Sequence, residues 1–165
     1  MSRPTPVLVL CTGNSARSQI AEALLAWRGQ GRIEASSAGS RPASRVNPYA
    51  VEVLAAHGVE WREHPPRGIG DLAGERFDLV ITVCDDARDA CPYFPGAGAQ
   101  VHWGLPDPAL ESEPEAARRA FAATYTALVC RVERLLDLPL ETMSPAAVAE
   151  RSEAIHRDAS ATTST

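Results

Sequence analysis

The sequence has no long apolar run and no cluster of basic residues. Its 165 residues include 16 Lys and Arg against 21 Asp and Glu, for a net charge of −5. A nucleic-acid surface requires clustered positive charge, so neither nucleic acid nor a membrane is an expected partner. No segment approaches the roughly 18 apolar residues of a membrane span, and residues 6–10 are too short for a signal-peptide core. The predicted location is therefore the cytoplasm.

The sequence also lacks the spacing of a metal centre. Four cysteines and four histidines are present without a Cys-x2-Cys motif or a paired-His pattern. We therefore expect no metal and no cofactor. In a reducing compartment, cysteines are more often catalytic thiols or bystanders than structural cross-links.

Alternating strand and helix patterns predict the α/β class. Continuous apolar runs at 7–10 and 77–83 are typical of strands that are covered on both faces. Shorter strands are predicted at 33–38 and 99–103. Helical patterns cover 20–27, 48–58 and 112–137, and the last of these begins with a predicted capping box between Ser112 and Glu115. This order predicts a three-layer αβα sandwich with a four-stranded parallel sheet.

The length and the apolar distribution predict a single domain over residues 1–140. A chain of this size can bury a sufficient core without disulfides. Residues 141–165 are rich in Ala, Ser and Thr and carry few large apolar side chains. We expect this tail to be weakly helical or disordered.

Residues 11–18 place small side chains and an arginine between the first strand and the first helix. They are Cys11, Thr12, Gly13, Asn14, Ser15, Ala16, Arg17 and Ser18. Small residues let the backbone curl so that successive amides face inward and form an anion-binding nest at a helix N-terminus. Arg17 can close the nest, because its guanidinium donates two parallel hydrogen bonds to an oxyanion. The Gly-Lys-Ser/Thr ending of a nucleotide-binding loop is missing.

Cys11 is the predicted nucleophile of this loop. The pKa of a cysteine at a helix N-terminus beside an arginine can fall to roughly 3.5 to 7.5, so a thiolate is expected, with the Ser18 hydroxyl as a donor to it. The alternative is an ordinary buried thiol at a strand end. The flanking strand, the flanking helix and the Arg17-Ser18 pair favour the nucleophile.

This motif in this context resembles the low-molecular-weight protein tyrosine phosphatase superfamily, and within it the thioredoxin-coupled arsenate reductases. The resemblance extends over residues 7–136. It implies a low-molecular-weight phosphatase-like fold, Cys11 as nucleophile and Arg17 as the oxyanion clamp. It also implies arsenate, or a phosphate-like oxyanion, as substrate and thioredoxin or another thiol reductant as partner. A monomer is expected.

Cys84 and Cys91 flank a short charged segment after the second buried strand. If that segment is helical, its ends lie about 10 Å apart, beyond the roughly 7 Å limit on Cα separation in a disulfide. A bond between them would require the helix to unwind, which is typical of a redox switch. The resemblance implies a relay in which Cys84 attacks Cys11 and Cys91 then attacks Cys84. The alternatives are that Cys84 is simply buried at a strand end and that Cys91 is an incidental surface thiol.

Asp107 lies between two prolines, which fix its backbone and suit a rigidly placed general acid. A simple turn aspartate is the alternative. The resemblance implies that Asp107 protonates the departing oxygen. Phosphatases of the superfamily that act on phosphotyrosine carry aromatic residues after this Asp-Pro, whereas this chain has Ala109, as in the reductases.

Some relatives bind potassium through residues that resemble Asn14, Glu22 and Ser37 together with an acidic side chain. The best-aligned position for that acid is Arg67. We therefore expect no potassium requirement.

Three functions are compatible with these residues. The first is arsenate reduction through Cys11, Cys84 and Cys91, with weak phosphatase side activity, in arsenic detoxification. The second is a low-molecular-weight protein tyrosine phosphatase, which would hydrolyse phosphomonoesters through a Cys11 phosphoenzyme. It needs Cys11, Arg17 and Asp107 but neither distal cysteine. The third is a non-catalytic thiol sensor or arsenite-binding protein on the same fold, in which Arg17 and Asp107 would have no role.

Overall fold

Four parallel strands form the centre of the computed structural model, which describes residues 3–84 and 93–163. The strands are β1 (Thr5–Cys11), β2 (Ile33–Gly39), β3 (Phe77–Cys84) and β4 (Ala97–Leu105). Their order across the sheet is β2-β1-β3-β4. The predicted α/β fold with a four-stranded parallel sheet is therefore confirmed, and every predicted strand extends slightly beyond its expected bounds.

Four helices are present among the described residues. They are α1 (Arg17–Gly29), α2 (Pro48–Ala56), α3 (Pro114–Leu136) and α4 (Pro145–Thr163). Short 3-10 turns at Ile69–Leu72, Pro108–Leu110 and Leu140–Thr142 connect the longer elements. None of these helices combines the length and the apolar character that a membrane crossing would require.

The central strand β1 is buried on both faces, as its uninterrupted apolar run predicts. Val7 and Val9 belong to one apolar cluster, which includes side chains from all four helices. Leu8 and Leu10 face the other way, into a cluster that Leu72 and other apolar side chains complete. Alternate residues of a strand point to opposite faces, so this run fills two layers at once.

The cap of α3 differs from the predicted one. The Glu113 carboxylate, rather than the Ser112 hydroxyl, accepts hydrogen bonds from the backbone N–H groups of Glu115 and Ala116, at 3.3 and 2.9 Å. Pro114 occupies the first helical position, where the missing N–H costs nothing. A carboxylate also interacts favourably with the helix dipole at this end.

The expected weak helix of the tail is longer and more buried than the composition indicates, because residues 145–163 form the continuous helix α4. Val148, Ser152, Ile155 and Ala159 form a buried stripe along it. The Trp103 indole donates to the Ser152 carbonyl at 2.9 Å, which joins α4 to β4. The small side chains of the segment reduced its predicted hydrophobicity, but they also allow α4 to pack closely on a surface that the sheet and α3 already provide.

Arg131 makes a second connection between α3 and α4. Its guanidinium donates to His156 Nδ1 at 3.0 Å and to Ser160 Oγ at 3.2 Å. A third bond, to the Ala127 carbonyl, stays within α3. Burial lowers the pKa of this arginine. Arg131 of α3 thus bonds two side chains of α4.

We predict that Ile155→Ala lowers the free energy of unfolding by about 2 to 4 kcal/mol, because it leaves a cavity beneath α4. Glu153→Ala, on the exposed side of the same helix, should change it by no more than about 0.5 kcal/mol. Chemical denaturation of both variants measures the difference. Equal stability of the two variants would contradict the packing of α4 on the sheet.

Candidate active site

The predicted oxyanion loop connects the end of β1 to the start of α1, at the carboxyl edge of the sheet. A cavity of about 670 Å³ opens above it. The cavity is lined by Cys11, Thr12, Gly13, Ser15, Ala16, Arg17, Ser40, Arg41, Asp107 and Ala109. These residues come from the segments after β1, β2 and β4, whose carboxyl ends meet at this edge, as expected for ligand sites of parallel sheets.

The Cys11 sulfur is buried and surrounded by hydrogen-bond donors. The backbone N–H of Asn14 donates to Cys11 Sγ at 3.2 Å. Ser18 Oγ lies 2.9 Å from the same sulfur and accepts a hydrogen bond from Asn14 Nδ2 at 2.8 Å. Because that bond occupies an acceptor position of Ser18 and leaves its O–H free to turn, the hydroxyl can donate to Cys11. Donors of this kind favour a thiolate over a thiol.

Asn14 holds the loop together from within. It has a left-handed backbone conformation with φ of 51°, which asparagine tolerates better than most residues. Its side-chain nitrogen also donates to Ser37 Oγ at 2.8 Å, and its side-chain oxygen accepts from the Arg67 backbone N–H at 3.1 Å. One side chain thus connects the loop to α1, to β2 and to the segment before β3.

The carbonyl groups of the loop are bonded to the segment that follows β2. The backbone N–H groups of Ser40, Arg41, Ala43 and Asn47 donate to the carbonyls of Cys11, Thr12, Gly13 and Ser15 at 2.8 to 3.2 Å. In a trans peptide the C=O and the following N–H point in opposite directions. Carbonyls that are held on the outside of the loop therefore turn the next N–H groups toward the cavity.

Gly39 permits this close approach. A Cβ atom at this position would collide with the Thr12 carbonyl oxygen and would lie 3.0 Å from the Asn14 nitrogen. Both neighbours are backbone atoms, which cannot turn away as a side chain can. Only glycine fits at the end of β2 beside the loop.

Arg17 and Asp107 form the other side of the cavity. Arg17 is buried and donates from Nη1 to the Leu105 carbonyl at 2.7 Å. Its Nη2 lies 3.6 Å from Asp107 Oδ2. The other carboxylate oxygen of Asp107 accepts from the Ala109 backbone N–H at 2.9 Å. Asp107 therefore orders its own turn with one oxygen and faces Arg17 with the other.

The comparisons with known proteins agree with this geometry. Residues 6–146 match the low molecular weight phosphotyrosine protein phosphatase family. The chain belongs to this family. The arsenate reductase of Bacillus licheniformis is 38% identical over 121 residues, which are 73% of this chain and 86% of that protein.

Two solved structures are similar to this member of the phosphatase family. The thioredoxin-dependent arsenate reductase of Corynebacterium glutamicum has 32% identity and a TM-score of 0.57, over 80% of this chain and 63% of that chain. The arsenate reductase of Archaeoglobus fulgidus has 30% identity and a TM-score of 0.59, over 77% of this chain and 98% of that chain.

Of the predicted site residues, Asp107 and the loop positions 11–13 and 15–17 line the cavity of this phosphatase-family chain. Asn14 and Ser18 are buried behind the loop, where they contact the Cys11 sulfur. Cys84 ends β3, where its backbone is in register with Leu105 of β4. Cys91 lies outside the described residues, so its predicted role stays a prediction. Cys130 lies on α3, partly exposed and without a disulfide.

Arg41 lines the cavity and was not a predicted site residue. It is separated from Cys11 by 30 positions, and no motif connects the two. The signal that could have revealed it is topological. The segment after β2 had to lie beside the oxyanion loop once the two strands were paired in parallel.

The residues that resemble potassium ligands already have partners. The Glu22 carboxylate contacts His64 Nε2 at 2.8 and 3.0 Å. Arg67 Nε donates to the Ser37 carbonyl at 2.9 Å. The guanidinium places a positive charge beside this carbonyl.

We predict that Gly39→Ala weakens the binding of inorganic phosphate at least about tenfold, because the added methyl group displaces the loop backbone. Gly70→Ala is the matched control, since a Cβ there meets nothing within 4 Å. Titration calorimetry of both variants provides the comparison. Unchanged phosphate affinity in Gly39→Ala would contradict the dependence of the loop on this contact.

We also predict that phosphate affinity is the same in potassium chloride and in choline chloride at equal ionic strength. His64 and Arg67 already occupy oxygens that a cation would need, so potassium should add nothing. Calorimetry in the two salts tests this. Affinity that rises only with potassium would show that the ion displaces these side chains.

Proposed function

We propose that the protein reduces arsenate to arsenite in the cytoplasm, as part of arsenic detoxification. The observation that carries the proposal is the position of the Cys11 sulfur at the base of a cavity that loop amides and Arg17 surround. The arsenate reductases that resemble the chain support this choice of oxyanion. The small side chain of Ala109 supports it as well, because it leaves no aromatic wall for a tyrosine ring.

In the first step of the proposed reaction, the Cys11 thiolate attacks arsenic and forms an As–S bond. Asp107 is the proposed general acid, which supplies a proton to the oxygen that departs as water. The inward amides and Arg17 stabilise the negative charge on the remaining oxygens in the transition state. Arg17 is already oriented by its bond to the Leu105 carbonyl, so little reorganisation is needed.

In the second step, the Cys84 thiolate attacks Cys11 Sγ. A disulfide forms between the two sulfurs, the As–S bond breaks and its electron pair stays on arsenic. Arsenic is reduced from the +5 to the +3 state and leaves as arsenite. The position of Cys84 at the end of β3, next to β1, supports this role, because Leu10 and Thr82 are already paired in register.

In the third step, Cys91 attacks Cys84 and releases the Cys11 thiolate. The resulting Cys84–Cys91 disulfide is reduced by an external dithiol through thiol–disulfide exchange. We propose thioredoxin as this reductant, on the basis of the thioredoxin-dependent relative from Corynebacterium glutamicum. Neither a metal nor a cofactor takes part in the proposed cycle, and the acting unit is a monomer.

Slow hydrolysis of aryl phosphates is proposed as a side activity. The same amides and Arg17 suit phosphate as well as arsenate, and the chain belongs to a phosphatase family. A dedicated phosphatase would not need Cys84 or Cys91. Cysteine variants therefore separate the two functions.

We predict three different outcomes for the cysteine variants in arsenate reduction with thioredoxin, thioredoxin reductase and NADPH. Cys84→Ser should release no arsenite. Cys91→Ser should release a single equivalent of arsenite per enzyme and then stop, since Cys11 and Cys84 can still form a disulfide. Cys130→Ser is the control and should keep full turnover, because Cys130 lies on α3 away from the cavity lining.

Arsenite is quantified after rapid quenching, and mass spectrometry identifies the disulfide in each variant. Sustained turnover in either Cys84→Ser or Cys91→Ser would exclude the relay. Full aryl phosphate hydrolysis with no arsenite from the wild-type protein would instead identify a phosphatase.

A further inference from the structure

Arg41 is the second arginine of the active-site cavity, and the proposed reaction has no role for it. It lies in the segment after β2, whereas Asp107 follows β4. Because β2 and β4 are the outer strands of the sheet, Arg41 and Asp107 flank the oxyanion loop from opposite sides. Both residues line the same cavity.

The backbone of Arg41 is fixed relative to Cys11. Its N–H donates to the Thr12 carbonyl at 2.8 Å, and the bonds from Ser40 and Ala43 hold the residues around it. Pro42 follows and restricts Arg41 to extended backbone conformations. The Cα atom of Arg41 therefore has a fixed position relative to the loop, although the side chain itself is exposed.

The guanidinium of Arg41 has no hydrogen bond or ion pair with another side chain in the part of the chain that the structure describes. Arg17, in contrast, already contacts the Leu105 carbonyl and the Asp107 carboxylate. When a multiply charged oxyanion enters beside a thiolate, one partly engaged arginine must offset several negative charges. The position and the free donors of Arg41 suit it to share this charge.

We propose that Arg41 is a second cationic anchor for the substrate, a free tetrahedral oxyanion. Arg41 binds the one oxygen of this oxyanion that the loop does not hold. The assignment rests on the proposed function for its substrate. In an aryl ester, that oxygen carries an aryl group, which makes it a weaker and less accessible hydrogen-bond acceptor, so the ester benefits less from this contact. Arsenite is uncharged near neutral pH, so Arg41 favours the bound substrate over the bound product.

The test compares Arg41→Gln with Arg45→Gln. Arg45 is a matched control, because it is an exposed arginine of the same segment that does not line the cavity. For Arg41→Gln we expect the KM for arsenate and the Kd for inorganic phosphate to rise about tenfold, the effect of one charge-assisted hydrogen bond, with kcat nearly unchanged. For Arg45→Gln we expect a change of no more than about twofold, since an exposed distant charge is screened.

Two further measurements locate the effect. The KM for p-nitrophenyl phosphate should rise less than the KM for arsenate in Arg41→Gln, and the KM for the thiol reductant should not change. Arg41→Lys should recover part of the affinity, because it keeps the charge without the planar pair of donors.

Phosphate binding to the reduced protein separates this proposal from the proposed function, since it needs no turnover. A weakened phosphate affinity in Arg41→Gln, in a protein that reduces no arsenate, would support the anchor and overturn the reductase. Unchanged phosphate affinity, an equal rise for arsenate and the aryl ester, or a rise only in the KM for the reductant would each overturn the anchor.

Discussion

The active site depends on the hydrogen bonds that hold the carbonyl groups of the oxyanion loop on its outer side. These carbonyls accept from the backbone of the segment after β2, so the intervening N–H groups face the cavity. An anion that enters the cavity finds donors that are already oriented, and no reorganisation energy is required at that moment. The arrangement in turn requires β2 to approach the loop closely, which Gly39 allows.

The parallel sheet explains why residues so far apart in sequence can act together. The segments after β1, β2 and β4 meet at one edge, and each supplies a different function. The first provides the sulfur and the amides, the second secures the loop and contributes Arg41, and the third contributes Asp107. The Leu105 carbonyl at the end of β4 also orients Arg17. The order of the strands therefore determines which charges surround the anion.

The sequence predicted the strands, most of the helices and the central site residues, because these signals are local. Cys11, Arg17 and Ser18 lie in one short motif, and Asp107 lies between two prolines. The carbonyl contacts of the loop and the role of Arg41 could not be predicted, since they depend on strand pairing over long separations. The burial of helix α4 was underestimated for a different reason. Its burial depends on the surface that it packs against, which its own composition does not reveal.

The placement of α4 affects how the chain completes its fold during synthesis. The family match ends at residue 146, and α4 continues to Thr163. Yet the helix covers Trp103, which is fully buried and is made much earlier by the ribosome. The strands can pair before that point. The apolar surface of β4 that α4 covers, however, stays open to water and to other nascent chains until translation has passed α4.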